Sequence, residues 1–144
     1  MVWGRKNRDP KLDRLAAVEL FAHCSPKELE SIASITDQVD LPAGRTLCSE
    51  GEIGREAFVL IAGTVDVTVK GERVGSAGPG ETVGEMALVN NTPRVATAVA
   101  ATPVSAYVIV VNRFASLIEE IPVVGEAVRR AAEERARANA EGSR

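Results

Sequence analysis

The sequence predicts an α+β fold in which helices at both ends of the chain flank a small antiparallel β-sandwich or β-barrel. Apolar residues recur at helical spacing before residue 36 and after residue 112, and the spacing changes to every second residue from Val39 onward. With 144 residues, 45% of them apolar and 26% charged, the chain is long enough for one globular domain with a hydrophobic core. Glycines divide the middle part into strand-length runs: Gly44, Gly51, Gly54, Gly63, Gly71, Gly75, Gly78 and Gly80.

The first helical region covers residues 9–35. Apolar positions up to Leu20 predict one helix, and Phe21 to Cys24 are expected to form a turn. Ser25-Pro26-Lys27-Glu28 then has the pattern of a capping box, with a serine cap, proline at the first helical position and glutamate at the third. The second helix is predicted to end near Ile35.

The predicted strands occupy residues 36–111. The clearest is Thr64 to Lys70, where valines alternate with polar residues. Lys70-Gly71-Glu72 is typical of a hairpin turn. Ala57 to Ala62 is continuously apolar, which indicates a strand covered on both faces. The last strand is predicted at Val104 to Val111.

Two helices are predicted in residues 112–141. Asn112 is expected to cap a short helix that ends at Glu120, and Pro122 is expected to open a final helix that continues to about Asn139. The inward stripe of this final helix contains one charge, Arg135, in an otherwise apolar row: Val124, Val128, Ala131, Arg135 and Ala138.

Charge and cysteine content argue against several classes of protein. The net charge of -3 does not favour nucleic acid as the main partner. The N-terminus lacks the apolar stretch of a signal peptide. The uncharged run Val95 to Asn112 contains Pro103 and alternates, so it predicts strands and no membrane insertion. Cys24 and Cys48 are widely spaced, which favours two reduced thiols in a cytoplasmic protein.

Residues 84–97 carry the main functional signal. Gly84-Glu85 opens a short apolar turn whose backbone N–H groups can receive an anion, and the planar guanidinium of Arg94 suits phosphate oxygens. Small residues that alternate after Arg94, Ala96 and Ala98 among them, leave space for a ligand. Glu85 would repel a phosphate unless its carboxylate accepts a hydrogen bond from another group, such as a sugar hydroxyl. Phosphate together with a sugar hydroxyl indicates a nucleotide.

The run GEMALVNNTPRVATA, which starts at Gly84, resembles the phosphate-binding cassette of the cyclic-nucleotide-binding domain family. This family includes cAMP-dependent kinase regulatory subunits, bacterial cAMP-receptor transcription factors and cyclic-nucleotide-gated channels. The spacing from Gly-Glu to Thr-Pro-Arg fits without insertion, and the resemblance extends from about Leu20 to Arg137. It implies a single domain over residues 1–144: an eight-stranded antiparallel β-barrel or jelly roll with N-terminal helices, a short phosphate-binding helix and two C-terminal helices. We call residues 84–97 the cassette.

The resemblance assigns a ligand contact to each end of the cassette. Gly84 opens the turn, Glu85 binds the ribose 2′-hydroxyl, and the backbone N–H groups of Met86 and Ala87 bind phosphate oxygens. Arg94 binds the cyclic phosphate. The alternative for Gly84, Glu85 and Arg94 is a tight turn with a surface ion pair, which the joint spacing does not favour.

Further contacts are implied around the base and sugar. Val95 offers no hydroxyl for the amino group of guanine, so the resemblance implies cAMP as the preferred ligand over cGMP. The last helix of the family often stacks a side chain on the base, a role open to Arg135, although an ordinary solvated arginine is favoured. Three valines stand where the family lines its pocket with apolar side chains, with plain core packing as the alternative: Val67, Val74 and Val83.

Two positions depart from the family pattern. Val83 stands where phenylalanine commonly precedes Gly-Glu. Arg55 stands where many relatives carry an aspartate that orients the phosphate-binding arginine. Either Glu56 replaces that carboxylate from the next position, or the coupling between ligand and β-barrel differs.

We therefore predict a stand-alone regulatory module that binds cAMP, contains no metal and catalyses no reaction. Its C-terminal helices would change conformation and present an altered surface to an unidentified effector protein, and the chain would be a monomer or a weak dimer through the last helix. An enzyme on a related barrel, such as a cupin, needs two or three histidines at a metal, whereas His23 is the one histidine here. The runner-up is a degenerate, ligand-free domain used for protein–protein contact or dimerisation.

Overall fold

The structure, a computed structural model, describes residues 9–142, and within the last helix it describes side chains as far as residue 138. The described residues form the predicted α+β fold. Within residues 9–142 there are four α-helices: α1 (Pro10–Ala16), α2 (Pro26–Ser34), α3 (Val111–Glu120) and α4 (Pro122–Gly142). Two 3-10 turns lie at Glu19–Phe21 and Glu85–Leu88. The described part of the chain has eight strands: β1 (Thr36–Leu41), β2 (Thr46–Cys48), β3 (Glu56–Ala62), β4 (Val65–Val69), β5 (Glu72–Ala77), β6 (Thr82–Val83), β7 (Thr97–Ala100) and β8 (Val104–Val110).

The strands form two antiparallel sheets of four, a jelly-roll sandwich. We call β1-β8-β3-β6 the helix-side sheet and β2-β7-β4-β5 the outer sheet. Within residues 9–142 no strand of one sheet pairs with a strand of the other, so the jelly-roll prediction is confirmed and the sheets do not close into a barrel. The predicted hairpin turn is also confirmed, because Lys70 and Gly71 join β4 to β5 with φ values of 52° and 83°.

The helix-side sheet is covered on both of its faces. Phe58 and Leu60 of β3 pack in the core between the two sheets, whereas Ala57 and Val59 pack in a second core beneath the helices. All four side chains are buried. This double coverage explains why the β3 sequence is an uninterrupted apolar run instead of an alternating one.

The second core joins the helices to one turn of the cassette. The rings of Phe21 and Phe114 lie 6.2 Å apart within it, and Val124 and Val128 of α4 are fully buried against them. Leu88, the last residue of the second 3-10 turn, belongs to this same core. The cassette and the C-terminal helices are therefore in one packed unit.

Helix boundaries follow the sequence prediction in part. The capping box of α2 is confirmed: the Glu28 N–H donates to the Ser25 hydroxyl at 3.2 Å, and the Ser25 N–H donates to the Glu28 carboxylate at 2.9 Å. The predicted cap at Asn112 is wrong. The helix α3 continues directly from β8 and begins at Val111, whose N–H donates to the Arg55 carbonyl at 2.9 Å, and no side chain caps it.

We expect Lys11→Met to lower the free energy of unfolding by about 1.5–3 kcal/mol, the usual range for hydrogen bonds from a charged donor. The Lys11 ammonium donates to the carbonyl of Ala33 at 2.8 Å and to the carbonyl of Thr36, which ties α1 to the end of α2. Urea denaturation measures the loss. Lys27→Met, at an exposed position of α2, is the control and should change stability by less than about 0.5 kcal/mol. Equal stabilities for the two variants would contradict this role of Lys11.

Candidate functional site

The 3-10 turn Glu85–Leu88 begins at a glycine in the left-handed conformation. Gly84 has φ 72° and ψ 22°, and its carbonyl accepts from the Ala87 N–H at 3.2 Å. A Cβ at this position would lie 2.2 Å from Nη1 of Arg94. Both the backbone conformation and the close approach of the arginine therefore require glycine. The predicted short helix is confirmed as a single turn of 3-10 form.

Arg94 is fixed by its backbone and by its side chain. Nη1 donates to the Gly84 carbonyl at 2.9 Å, and Nη2 donates to the Glu56 carbonyl at 2.5 Å. The backbone N–H of Arg94 donates to the Glu52 carbonyl at 2.7 Å, and its carbonyl accepts from the Gly51 N–H at 2.8 Å. The half-buried guanidinium thus bridges the start of β3 and the start of the 3-10 turn.

A cavity of about 440 Å³ lies beside Arg94 and the turn. This volume is in the range of small-molecule sites, which are typically apolar with a few placed polar groups. The small residues Ala96 and Ala98 contribute to its wall, as the alternation after Arg94 predicts. The cavity brings together seven of the ten predicted ligand-binding residues: Val67, Val83, Gly84, Met86, Ala87, Arg94 and Val95.

Glu85 does not line this cavity, although both of its neighbours do. Its side chain is only 12% exposed; Oε1 accepts from Nη1 of Arg135 at 2.6 Å, and Oε2 accepts from the Thr82 hydroxyl at 2.9 Å. Burial acts to raise the pKa of Glu85, but the hydrogen bonds from Arg135, the Glu85 backbone and Thr82 bring this pKa below its ordinary value. The carboxylate is therefore ionised at neutral pH.

Arg135 and Val74 also lie outside the cavity wall. Arg135 is not the solvated arginine that the sequence favours, because its ion pair with Glu85 holds it against the cassette. Val74 is 62% exposed. In the β4–β5 ladder Val67 pairs with Gly75 and Thr68 pairs with Arg73, so Val74 is the extra residue of a β-bulge.

The structure shows how Arg94 is held although Arg55 replaces the aspartate that many relatives carry. Glu56 holds Arg94 through its backbone carbonyl, a group that any residue supplies, so the orientation of Arg94 does not need a carboxylate there. Arg55 instead lines a neighbouring cavity of about 540 Å³ together with Glu52 and Glu56.

The sequence interpretation did not single out Cys48 and Thr82 as site residues. Cys48 pairs with Ala98 in the β2–β7 ladder and lines the cavity. Burial raises the pKa of the Cys48 thiol, although the charge of Arg94 and a backbone hydrogen bond at Ala98 oppose this. A neutral thiol results, which contributes packing and not a nucleophile. The spacing Thr82-x-x-Glu85 is the one local signal that could have indicated the hydroxyl–carboxylate contact.

The sequence model of the cyclic nucleotide-binding domain matches residues 38–121, more than half of the chain. The chain belongs to the cyclic nucleotide-binding domain family. Two cyclic nucleotide-gated potassium channels, from Rhizobium etli and Mesorhizobium japonicum, are each 36% identical to it over 121 residues and cover 84% of the chain. The chain spans about a third (34%) of the length of each channel.

Several solved structures share the fold of this chain. The N-terminal domain of a transcriptional regulator from Streptomyces coelicolor aligns with a TM-score of 0.80 at 26% identity, covering 92% of this chain and 96% of that one. A cyclic nucleotide-binding-like protein from Brucella abortus aligns with a TM-score of 0.71 at 30% identity, covering 77% and 99%. A cyclic nucleotide-binding domain from Methylobacillus flagellatus aligns with a TM-score of 0.74 at 25% identity, covering 92% and 78%.

Among residues 9–142, no group of three or more histidine, cysteine, aspartate or glutamate side chains is placed to hold a metal ion. Of the helices in this range, none combines the length and the apolar character needed to cross a bilayer. The cavity beside Arg94 brings together most of the predicted ligand-binding residues and is the candidate site of this domain.

Proposed function

We propose that this domain is a non-catalytic regulatory module that binds a cyclic nucleotide, with cAMP preferred over cGMP. The observation that carries the proposal is the position of Arg94, clamped by two backbone carbonyls at the wall of a largely apolar cavity and next to the N-terminus of the 3-10 turn. A guanidinium has five N–H donors, and the two carbonyls do not exhaust them. A cyclic phosphate at this wall would receive charge-assisted hydrogen bonds without any rearrangement of Arg94.

The rest of the cavity suits the sugar and base. Val67 and Val83 offer apolar surface for the base, while Met86 and Ala87 belong to the turn whose N–H groups would bind phosphate oxygens. Glu85 would bind the ribose 2′-hydroxyl. We place the module in the cytoplasm, where reduced thiols such as the two free cysteines are the rule.

We expect Val95→Thr to raise the affinity for cGMP by roughly threefold to tenfold, the effect of one ordinary hydrogen bond. Val95 follows Arg94, lines the cavity and is 84% exposed, so a threonine hydroxyl there would be accessible to the amino group of guanine without disturbing the core. Competition binding with cAMP and cGMP measures the change. Val95→Ala is the control and should leave the cGMP affinity near the wild-type value; a gain in both variants would contradict a role for the hydroxyl.

We propose that ligand binding changes the docking of α3 and α4. Support comes from the two links between these helices and the cassette: Leu88 packs in the core beneath the helices, and Arg135 of α4 pairs with Glu85. If the 3-10 turn closes around a phosphate, both contacts change. The equilibrium between docked and undocked arrangements of α3 and α4 then shifts. An effector protein would bind the altered surface. Hydrogen exchange with and without cAMP, compared over residues 111–138, tests this step.

Thermal unfolding with added nucleotide tests the binding function. A ligand present at a hundred times its Kd stabilises the folded state by about 2.7 kcal/mol. We expect cAMP to raise the midpoint temperature of unfolding more than cGMP does at equal concentration. We expect 5′-AMP to leave this temperature unchanged. A midpoint unchanged by every nucleotide would overturn the proposal and favour a ligand-free interaction module.

A further inference from the structure

The neighbouring cavity of about 540 Å³ has a wall that is largely its own. It shares Cys48 and Arg94 with the cavity proposed for the nucleotide. The rest of its wall comes from Leu47 of β2, from Glu56 at the start of β3, and from residues 49–55 between these strands, which we call the β2–β3 loop. None of these other residues lines the nucleotide cavity. The neighbouring cavity is therefore a separate space, and its volume is in the range of small-molecule sites.

Charged groups of both signs line this cavity without partners. Within the described residues, the side chains of Glu52, Arg55 and Glu56 form no ion pair and no hydrogen bond, either with one another or with other groups. Exposed charges elsewhere in the domain do pair, as Arg73 does with Asp66. The wall of the neighbouring cavity thus offers a free guanidinium and two free carboxylates to a ligand.

The backbone that carries these charges is already fixed. The Arg55 carbonyl accepts from the Val111 N–H at 2.9 Å, which ties the end of the β2–β3 loop to α3. Earlier in the loop, the Gly51 N–H donates to the Arg94 carbonyl at 2.8 Å, and the Glu52 carbonyl accepts from the Arg94 N–H at 2.7 Å. A ligand would therefore order side chains but not the loop itself, which keeps the entropic cost of binding low.

Apolar side chains complete the wall. Leu47 is buried, and Ile53 is 46% exposed, one of the few large apolar side chains of the described chain with so much surface in water. An apolar group bound in the cavity would remove part of this surface from water, which is favourable. The wall therefore suits a small molecule that carries a positive group, a negative group and an apolar part.

We propose that the neighbouring cavity binds a small zwitterion, an α-amino acid with an apolar side chain. Its ammonium group would bind the carboxylates of Glu52 and Glu56, its carboxylate would bind Arg55, and its side chain would cover Ile53. A ligand with one charge would leave protein groups of the other sign without a partner, which lowers its affinity. This site goes beyond the proposed function, since it does not depend on a nucleotide.

Titration of L-leucine into the nucleotide-free domain, followed by two-dimensional NMR of the backbone amides, tests the site. We expect saturable shifts of the signals of the β2–β3 loop, with a Kd of about 1 mM or tighter. N-acetyl-L-leucine lacks the ammonium group, and L-leucine methyl ester lacks the carboxylate. We expect each to bind at least about tenfold more weakly, because each loses the charge-assisted hydrogen bonds of one group.

Two substitutions assign the charges of the ligand to side chains of the wall. Arg55→Gln should lower the affinity for L-leucine at least about tenfold and leave that for the methyl ester unchanged, and Glu52→Gln should weaken L-leucine but not N-acetyl-L-leucine. Both side chains lack partners in the folded domain, so both variants should fold. Arg45→Gln is the control, since Arg45 is exposed and lines neither cavity.

Four results would overturn this proposal. They are absence of saturable shifts with L-leucine, equal affinities for the three ligands, wild-type affinity for L-leucine in Arg55→Gln, and shifts confined to the cassette. The titration contains no nucleotide, so a failure of cAMP to bind this domain would leave its outcome unaffected.

Discussion

Arg94→Ala is expected to abolish measurable binding of cAMP. The guanidinium supplies the positive charge at the wall of the cavity, and each charge-assisted hydrogen bond to a largely enclosed phosphate contributes roughly 1.5–3 kcal/mol net. Two such bonds correspond to an affinity loss of about 10²-fold to 10⁴-fold. Calorimetric titration measures this loss, and Arg94→Lys should recover part of the affinity, because it keeps the charge without the planar fork.

Arg94→Ala should also lower the stability of the domain. This loss of stability has to be distinguished from the loss of cAMP affinity. Arg94 holds the carbonyls of Gly84 and Glu56, so we expect Arg94→Ala to lower the free energy of unfolding by about 1–3 kcal/mol. Arg73→Ala is the control: Arg73 forms an exposed pair with Asp66, and its loss should change stability by less than about 1 kcal/mol and leave binding intact. Wild-type affinity in a folded Arg94→Ala protein would contradict the assignment of the phosphate to Arg94.

Gly84→Ala is expected to lower both affinity and stability. An alanine would have to adopt the left-handed conformation at φ 72°, and its Cβ would lie 2.2 Å from Nη1 and 2.8 Å from Cζ of Arg94. The guanidinium would be pushed away from the carbonyls that position it, and we expect the affinity for cAMP to fall on the order of tenfold to a hundredfold, equivalent to 1.4–2.7 kcal/mol. Titration and urea denaturation on the same preparation measure the two effects.

A second glycine separates the backbone strain from the clash. Gly71 has φ 83°, and a Cβ there would meet no atom within 4 Å. Gly71→Ala should therefore cost about 1–2 kcal/mol of stability through the left-handed conformation alone, without loss of nucleotide affinity. If Gly84→Ala and Gly71→Ala had the same effect on binding, the close approach of Gly84 and Arg94 would not matter for the ligand.

The parts of this domain that are local in sequence could be predicted from it. The capping box at Ser25, the hairpin turn at Lys70-Gly71 and the 3-10 turn after Gly84 each depend on residues within a few positions of one another. The cassette is also local, since Arg94 lies ten residues from the Gly84 carbonyl to which it donates. Composition and spacing are sufficient for such elements because few competing arrangements exist over so short a span.

Contacts between distant segments could not be predicted in this way. The pair of Glu85 and Arg135 joins residues 50 apart, and it depends on how α4 packs on the cassette. Cys48 reaches the cavity only because β2 pairs with β7. The exposure of Val74 follows from a one-residue bulge, which shifts the register of β5 and leaves no signal in the alternation of β4. The wrong cap at Asn112 has a similar cause, because the carbonyl of Arg55, the residue before β3, already receives the Val111 N–H.

Calorimetric titration of cAMP into the nucleotide-free wild-type domain tests the central claim most directly, with cGMP and 5′-AMP as comparison ligands. The protein is first unfolded and refolded, and absence of copurified nucleotide is checked by absorbance. We predict saturable binding of one cAMP per chain with micromolar or tighter affinity, weaker binding of cGMP and no binding of 5′-AMP. Absence of saturable heat with either cyclic nucleotide, from a protein shown to be folded, would contradict the account and leave the ligand-free interaction module as the function to pursue.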